Sequence, residues 1–287
     1  RAYPTGSIKT DAYSKAIAWK KQQTALNGSA VIWEFAGPTN VGGRITDIEI
    51  PIDQSQTYYV GSASGGIFKT LDAGSNWTPI FDEQSMLSIG DIEISKNDTD
   101  VLWVGTGEVN AGGGSLAYDG NGMYKSEDGG ITWEAKGLDN VGSIGKVLID
   151  PNDENIIFVG AMGPLFRDDM NRGVYRSIDG GTSWEQKLFV SDITGVIDMA
   201  IHPSNGNILY AATWERIRRP ENRIYGGETS RLYRSIDGGE NWAEMTNGLP
   251  SAPADKGRIS IDISQSNPNV LYTRYANASG GIHGVYR

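Results

Sequence analysis

Three segments of this 287-residue chain carry side chains able to do chemistry. Residues 108–121 hold Glu108, Asn110, Tyr118 and Asp119 among glycines. Residues 161–172 hold Phe166, Arg167, Asp168, Asp169 and Arg172. Residues 214–230 hold Trp214, Glu215, Arg216, Arg218, Arg219, Glu221, Arg223 and Tyr225. Two carboxylates facing each other across a cleft at roughly 5 to 10 Å can cleave a glycosidic bond by acid–base chemistry. Glu108, Asp119, Asp168 and Glu215 are the candidate acids. Tyr118, Phe166, Trp214 and Tyr225 could stack on sugar rings. Arg167, Arg216 and Arg218, with Arg44, Lys146 and Arg258, could grip carboxylate or sulfate. The competing reading has these charges pairing with each other across loops. Asp168 and Asp169 are adjacent in a loop and are expected to point apart. His202 and His283 fall in no metal-ligand spacing, so no metal site is expected. No Ser/His/Asp arrangement and no phosphate-cradling loop is visible, and no cofactor is implied.

What must position these segments is a repeat. Thr70-Leu71-Asp72-Ala73-Gly74-Ser75-Asn76-Trp77 recurs as Ser126–Trp133, Ser177–Trp184 and Ser235–Trp242, a Ser/Thr-x-Asp-x-Gly-x-x-Trp pattern. Asp72, Asp128, Asp179 and Asp237 lie 56, 51 and 58 residues apart. A repeat of roughly this length with strand-like flanks means propeller blades. Asp and Ser side chains stabilise a tight turn, Gly supplies positive φ, and the Trp buries a large apolar area. Equivalent copies on separate blades point to structure, so these aspartates and Trp77, Trp133, Trp184 and Trp242 are assigned structural roles.

Around each motif four short strands can be aligned. First strands are Arg44–Ile50, Asp91–Ser95, Lys146–Asp150, Val196–His202 and Arg258–Ser264. Second strands are expected to end in Tyr59, Trp103, Phe158, Tyr210 and Tyr272. Third strands carry an aromatic and a base, as in Phe68-Lys69 and Tyr175-Arg176, and the Trp opens a fourth. The expected fold is an all-β propeller of four-stranded blades at about 44–81, 88–137, 143–189, 195–246 and 257–287. The second-to-third connections share one face, the motifs the other. These connections run from 9 residues (Tyr59 to Phe68) to 23 (Tyr210 to Tyr233), and long loops on a rigid scaffold are where binding residues gather. First strands start on that face, so Arg44, Asp91, Lys146 and Arg258 should ring the channel mouth.

Residues 1–29 read as an N-terminal helical extension, with a helix from Asp11 through Ala25 and Asn27-Gly28 as its stop. The propeller itself spans 30–287. Trp33-Glu34-Phe35-Ala36-Gly37 resembles Trp133-Glu134-Ala135-Lys136-Gly137, so residues 31–36 look like an orphan outer strand. Either it closes a five-bladed ring by pairing with 282–287, or the chain is the front part of a larger ring. We expect the second, with further blades on another segment or chain covering the edges. Net charge is −10 with no cysteine, which excludes thiol chemistry and disulfides and disfavours nucleic acid. No stretch approaches the roughly 20 apolar residues of a membrane span.

These motifs resemble the Asp-box, or bacterial neuraminidase repeat. Residues 30–287 are similar to Asp-box propellers: sialidases, xyloglucanase-type hydrolases, sortilin-type ectodomains and photosystem assembly factors. The stretches Gly37–Ile45, Gly61–Lys69 and Gly105–Glu108 look most like large secreted bacterial repeat proteins labelled glycosyl hydrolase or sortilin-like. Sialidases of this resemblance carry Arg-Ile-Pro, where this chain has Arg44-Ile45-Thr46. Xyloglucanase-type enzymes carry a catalytic Asp just before the Gly-Gly of an early blade; Ala63 matches it in Ser62-Ala63-Ser64-Gly65-Gly66. The expectation is therefore a secreted or cell-envelope bacterial propeller. It would bind or scaffold a protein segment or glycan on its long-loop face. The alternative is a glycoside hydrolase acting on a polysaccharide.

Overall fold

Short runs of β-branched and aromatic residues, broken by Gly/Asp/Asn/Pro turns, fold here into a series of antiparallel sheets. The computed structural model describes residues 15–20, 22, 43–110 and 117–287; residues 15–20 are helical. Blade 1 is built from β1 (Ile45–Glu49), β2 (Tyr58–Ser62), β3 (Ile67–Thr70) and β4 (Thr78–Pro79). Blade 2 has β5 (Ile89–Ile94), β6 (Leu102–Thr106), β7 (Met123–Ser126) and β8 (Glu134–Ala135). Blade 3 has β9 (Ser143–Ile149), β10 (Ile157–Gly163), β11 (Gly173–Ser177) and β12 (Glu185–Leu188). Blade 4 has β13 (Thr194–His202) and β14 (Asn205–Glu215), then a small hairpin, β15 (Ile217–Arg218) and β16 (Arg223–Ile224), before β17 (Leu232–Ser235) and β18 (Ala243–Met245). The fifth sheet has β19 (Ile259–Ile263), β20 (Leu271–Ala276) and β21 (Ile282–Tyr286). Each four-stranded sheet is a simple meander, and first strands pack on first strands from β1 through β19. This is a β-propeller arrangement. The expected strand 31–36 and most of the expected helix lie outside the described residues.

One expectation about the strands is corrected. Tyr59, Trp103, Phe158 and Tyr272 stand second in their strands, so the aromatic opens the second strand rather than ending it. The strand runs on through a small residue because the next blade lies directly over it. A Cβ added at Gly61 would meet Ile89 Cγ2 at 2.7 Å, and one at Gly105 would meet Ile144 Cγ2 at 2.4 Å.

The repeat's polar residues are spent on turns and on joining blades. In each motif the Ser or Thr hydroxyl donates to the Asp at 2.8 Å. The same hydroxyl accepts a glycine N–H, as Ser177 Oγ does from Gly181 at 2.8 Å. The Asp also accepts the backbone N–H and side chain four residues on, at Asn76, Thr132, Ser183 and Asn241. Trp133 Nε1 donates to Ile80 O at 2.8 Å and Trp184 Nε1 to Lys136 O at 2.7 Å, each reaching the preceding blade. The base of the third strand works in the other direction. Lys69 Nζ donates to Gly129 O at 2.9 Å and Arg176 Nη1 to Gly238 O at 2.7 Å, each in the next blade's motif.

Two expected outcomes follow from these turns. The hydrogen bonds hold Asp128, Asp179 and Asp237 down at about 2, below the usual carboxylate value of 3.8. The unfolded chain therefore binds more protons than the folded one between about pH 4 and 2, and stability falls as pH falls through that window. Exposure and salt screening keep the effect modest. Melting temperature against pH should drop there, and Asp179→Asn should flatten the curve. The second concerns blade 1, where Ala73 occupies the motif's first glycine position with φ +55°. The left-handed conformation costs a side chain about 1–2 kcal/mol. Glycine's extra freedom in the unfolded chain takes back about 0.5–1 kcal/mol. Ala73→Gly should therefore stabilise, by about 0.5–1 kcal/mol in urea unfolding.

Candidate functional site

The first strands bulge at equivalent places, and each bulge re-aims an aspartate at the next blade. Asp47 Oδ2 accepts Ile92 N at 2.8 Å, Asp91 Oδ2 accepts Val147 N at 2.8 Å, and Asp198 Oδ2 accepts Ile261 N at 3.0 Å. In blade 3 the equivalent residue is Lys146, which turns back to Asp91 Oδ1 at 3.0 Å. Burial pushes the Asp91 carboxyl up, and Lys146 opposes that; burial likewise disfavours charge on Lys146, but Asp91, Glu93 and Asp47 raise it overall. The pair is an ion pair. Asp91 and Lys146, expected to face a ligand at the channel mouth, are thus tied into the joint between blades 2 and 3.

After β6 the chain continues as Glu108-Val109-Asn110, and Asn110 lines the cleft between the first strands. Val109 belongs to the same buried cluster as Met162 and Leu165 of blade 3, Trp214 of blade 4 and Ile259 of the fifth sheet. Glu108 is 0% exposed and forms an ion pair with Arg44, while its Oε1 accepts Asn110 N at 2.9 Å. Burial raises the Glu108 pKa, and Arg44 opposes the shift. A carboxylate without accessible surface has no path to a substrate, so Glu108 acts here as an anchor. Sequence spacing could not show this, since the burial is made by three other blades.

The remaining expected ligand groups divide by burial. Arg216 is 1% exposed and stacks between two rings, 5.1 Å from Trp214 and 4.1 Å from Tyr225, with Nη1 donating to Ile224 O at 3.0 Å. Trp214 donates Nε1 to Tyr225 O at 2.8 Å, and Phe166 packs against the core beneath. These aromatics hold the β15–β16 hairpin down and present little ring to solvent. Arg218 is buried too, and its N–H donates to Leu165 O at 2.6 Å. Glu215 closes the same hairpin by accepting from Thr229 Oγ1 at 2.8 Å. Arg172, named with the 161–172 segment, is completely buried and donates to the carbonyls of Met162, Pro164 and Arg167, fastening the blade 3 loop. Tyr118 closes the other end of the blade 2 loop, its carbonyl accepting Glu108 N at 3.1 Å.

Carboxylates from different blades do meet at Arg167. Its Nη1 lies 3.5 Å from Asp119 Oδ2 of blade 2, and its Nη2 lies 2.9 Å from Asp169 Oδ2 of its own loop. Burial raises the Asp119 pKa, opposed by Arg167. Asp168, beside Asp169, points away and pairs with Arg219 Nη2 at 2.6 Å, as expected for neighbours in a loop. Asp169 also accepts Asn171 N at 2.9 Å. Arg167 is open to solvent, with its side chain 41% exposed. Two carboxyls on one guanidinium, one of them raised, are an arrangement compatible with acid–base chemistry. Among the described residues no group of three or more His, Asp or Glu side chains is placed to hold a metal. None of the described helices is long and apolar enough to cross a membrane.

The position that matches the xyloglucanase-type aspartate is a closed turn. Ala63 N donates to Arg44 O at 3.0 Å, and Ala63 O accepts Ser88 Oγ at 2.8 Å.

Comparison with known proteins finds xyloglucanases among the similar chains. A xyloglucanase from Paenibacillus sp is 23% identical over 275 residues, covering 85% of this chain and 24% of the relative. Xyloglucanase Xgh74A of Acetivibrio thermocellus is 24% identical over 324 residues, covering 98% of this chain and 35% of the relative. The chain thus spans between a quarter and about a third of the length of the curated relatives it matches. The GH74 xyloglucanase from Xanthomonas campestris superposes with a TM-score of 0.58 at 19% identity, over 85% of this chain and 36% of that one. No family model matches. The fold is that of the GH74 propellers.

Proposed function

We propose that this propeller is part of a glycoside hydrolase acting outside the cytoplasm on a plant-type polysaccharide such as xyloglucan. The likeness to xyloglucanases along most of the chain supports the substrate class. The observation that carries the chemistry is the Asp119–Arg167–Asp169 bridge. Asp119, raised by burial, is the general acid, and Asp169, paired with Arg167 at 2.9 Å, is its partner. Substrate lies on the long-loop face beside Arg167 and Tyr118. The test is release of reducing ends from xyloglucan, with polygalacturonate and chitin as controls. A chain that cleaves none of them lacks the activity.

A second reading, non-catalytic glycan binding, is favoured by one observation. Ala63 stands where the xyloglucanase-type enzymes carry a carboxylate, and its turn is already closed by neutral hydrogen bonds. Xyloglucan retarding the protein in affinity gels, without cleavage, would select this reading.

We also propose that further blades pack on both outer faces of the described ring. Ile48 and Tyr272 are 57% and 45% exposed, whereas the equivalent Ile92 and Trp103 are 0% and 1% exposed under a neighbouring blade. Apolar side chains at repeat positions built for burial support such cover.

A further inference from the structure

The channel between the first strands contains a second candidate site, bounded at one end by Asn110 of the blade 2 loop. A cleft of ≈ 390 Å³ runs along the first strands from Asn110 and Arg258 to Lys96 and Gln265. Its volume falls in the range of small-molecule pockets, roughly 300–1,000 Å³. Glu108–Asn110 cover one end. Lys96, Asp262 and Gln265 are exposed at the other, so the cleft opens toward the motif face.

Two polar atoms on its wall are buried without a hydrogen-bond partner among the described residues: Arg258 Nε and Asn110 Oδ1. Such groups cost stability unless something satisfies them. The charges near Arg258 are engaged elsewhere. Asp198 accepts the backbone N–H groups of Ile261 and Met199, and Asp91 is held by Lys146 and Val147. Burial pushes the Glu93 carboxyl up to about 8, opposed by Lys146 and reinforced by Glu49 and Asp91. Its charged form is thereby disfavoured. What remains unsatisfied is the Nε–H of Arg258, which wants an acceptor, and one amide oxygen that wants a donor. A molecule bearing both a carboxylate and hydroxyl groups meets both needs.

We propose that this channel binds a small polyhydroxylated acid, with its carboxylate on Arg258 and a hydroxyl on Asn110 Oδ1. The ligand is a sugar acid of the uronate type, free or at a chain end. The proposal stands apart from the hydrolase reading and involves different residues.

The test is calorimetry of the full chain with D-glucuronate. We expect millimolar or tighter binding. Glucose lacks the carboxylate and acetate lacks the hydroxyls, so each should bind about tenfold more weakly or worse. Arg258→Gln and Asn110→Ala lie in different blades and should each weaken glucuronate binding by about tenfold. Should one fail to fold, the other carries the test. A glucuronate-ended oligosaccharide distinguishes the sources: binding it equally well identifies a chain end, and binding only the monosaccharide identifies a free acid. No heat with glucuronate overturns the proposal, as does equal binding of all three probes or indifference to both variants.

Discussion

Asp119→Asn is expected to lower xyloglucan cleavage by about 10²–10⁴-fold, the usual contribution of a general acid. Asparagine keeps the shape and an acceptor for Arg167 but cannot deliver a proton. Burial already raises the Asp119 pKa, which is what an acid working near neutral pH requires. Asp169→Asn should cause a loss of similar size, because the pair acts as a unit on one guanidinium. KM should change little, since neither substitution removes a sugar-binding surface. Both variants should melt near the parent, because the Arg167 bridge is partly exposed and such pairs contribute little to stability. Unaltered turnover in both variants of a chain that does cleave xyloglucan would remove these two residues from the chemistry.

Asp91→Ala is expected to destabilise the chain by about 3–5 kcal/mol, the cost of leaving a buried charge without its partner. Two groups are orphaned at once. Lys146 Nζ loses its carboxylate at 3.0 Å, and Val147 N loses its acceptor at 2.8 Å. Val147 N cannot turn to water easily, because the joint lies between two packed first strands, while Lys146 keeps 21% of its side chain exposed. Asp91→Asn keeps one acceptor and should cost less, about 1–3 kcal/mol. Urea unfolding of the three proteins side by side checks the order. The same substitution should loosen the loops at 108–121 and 161–172, since the blades it joins carry them. A loss below about 1 kcal/mol for the alanine variant would show that the aspartate staple is not what holds blade 2 to blade 3.

How far the molecule could be read in advance varied with how local each feature is. The Ser/Thr-x-Asp-x-Gly-x-x-Trp turns are closed by atoms within four residues, so their pattern is complete on paper. The fourfold spacing then implies blades, and the sheets appear where the alternation places them. The order of residues within second strands was misread. Tyr59 and Trp103 start those strands because Gly61 and Gly105 must follow beneath the next blade, and that blade is not local. The bases after the third-strand aromatics were visible as a repeat. That Lys69 and Arg176 reach the next motif's glycine carbonyl was not.

The candidate site shows the same division more sharply. Loop lengths and composition singled out three segments, and the pairing of Arg167 with Asp119 across loops was one of the readings the composition left open. Which side chains reach solvent was decided elsewhere. Trp214 and Arg216 look like ligand contacts in a list of loop residues, yet they are consumed in packing the hairpin that carries them. Glu108 looks like an acid and is an anchor, because Val109 draws it into a cluster built from three other blades. The unsatisfied Arg258 and Asn110 lie far apart in sequence and share a wall only once the blades are arrayed. Sequence by itself determined the repeat, the turn chemistry and the blade architecture, all set by contacts a few residues long. Burial, ion pairing and the channel were decided only by the tertiary structure, because each is made by residues from different blades meeting at one point.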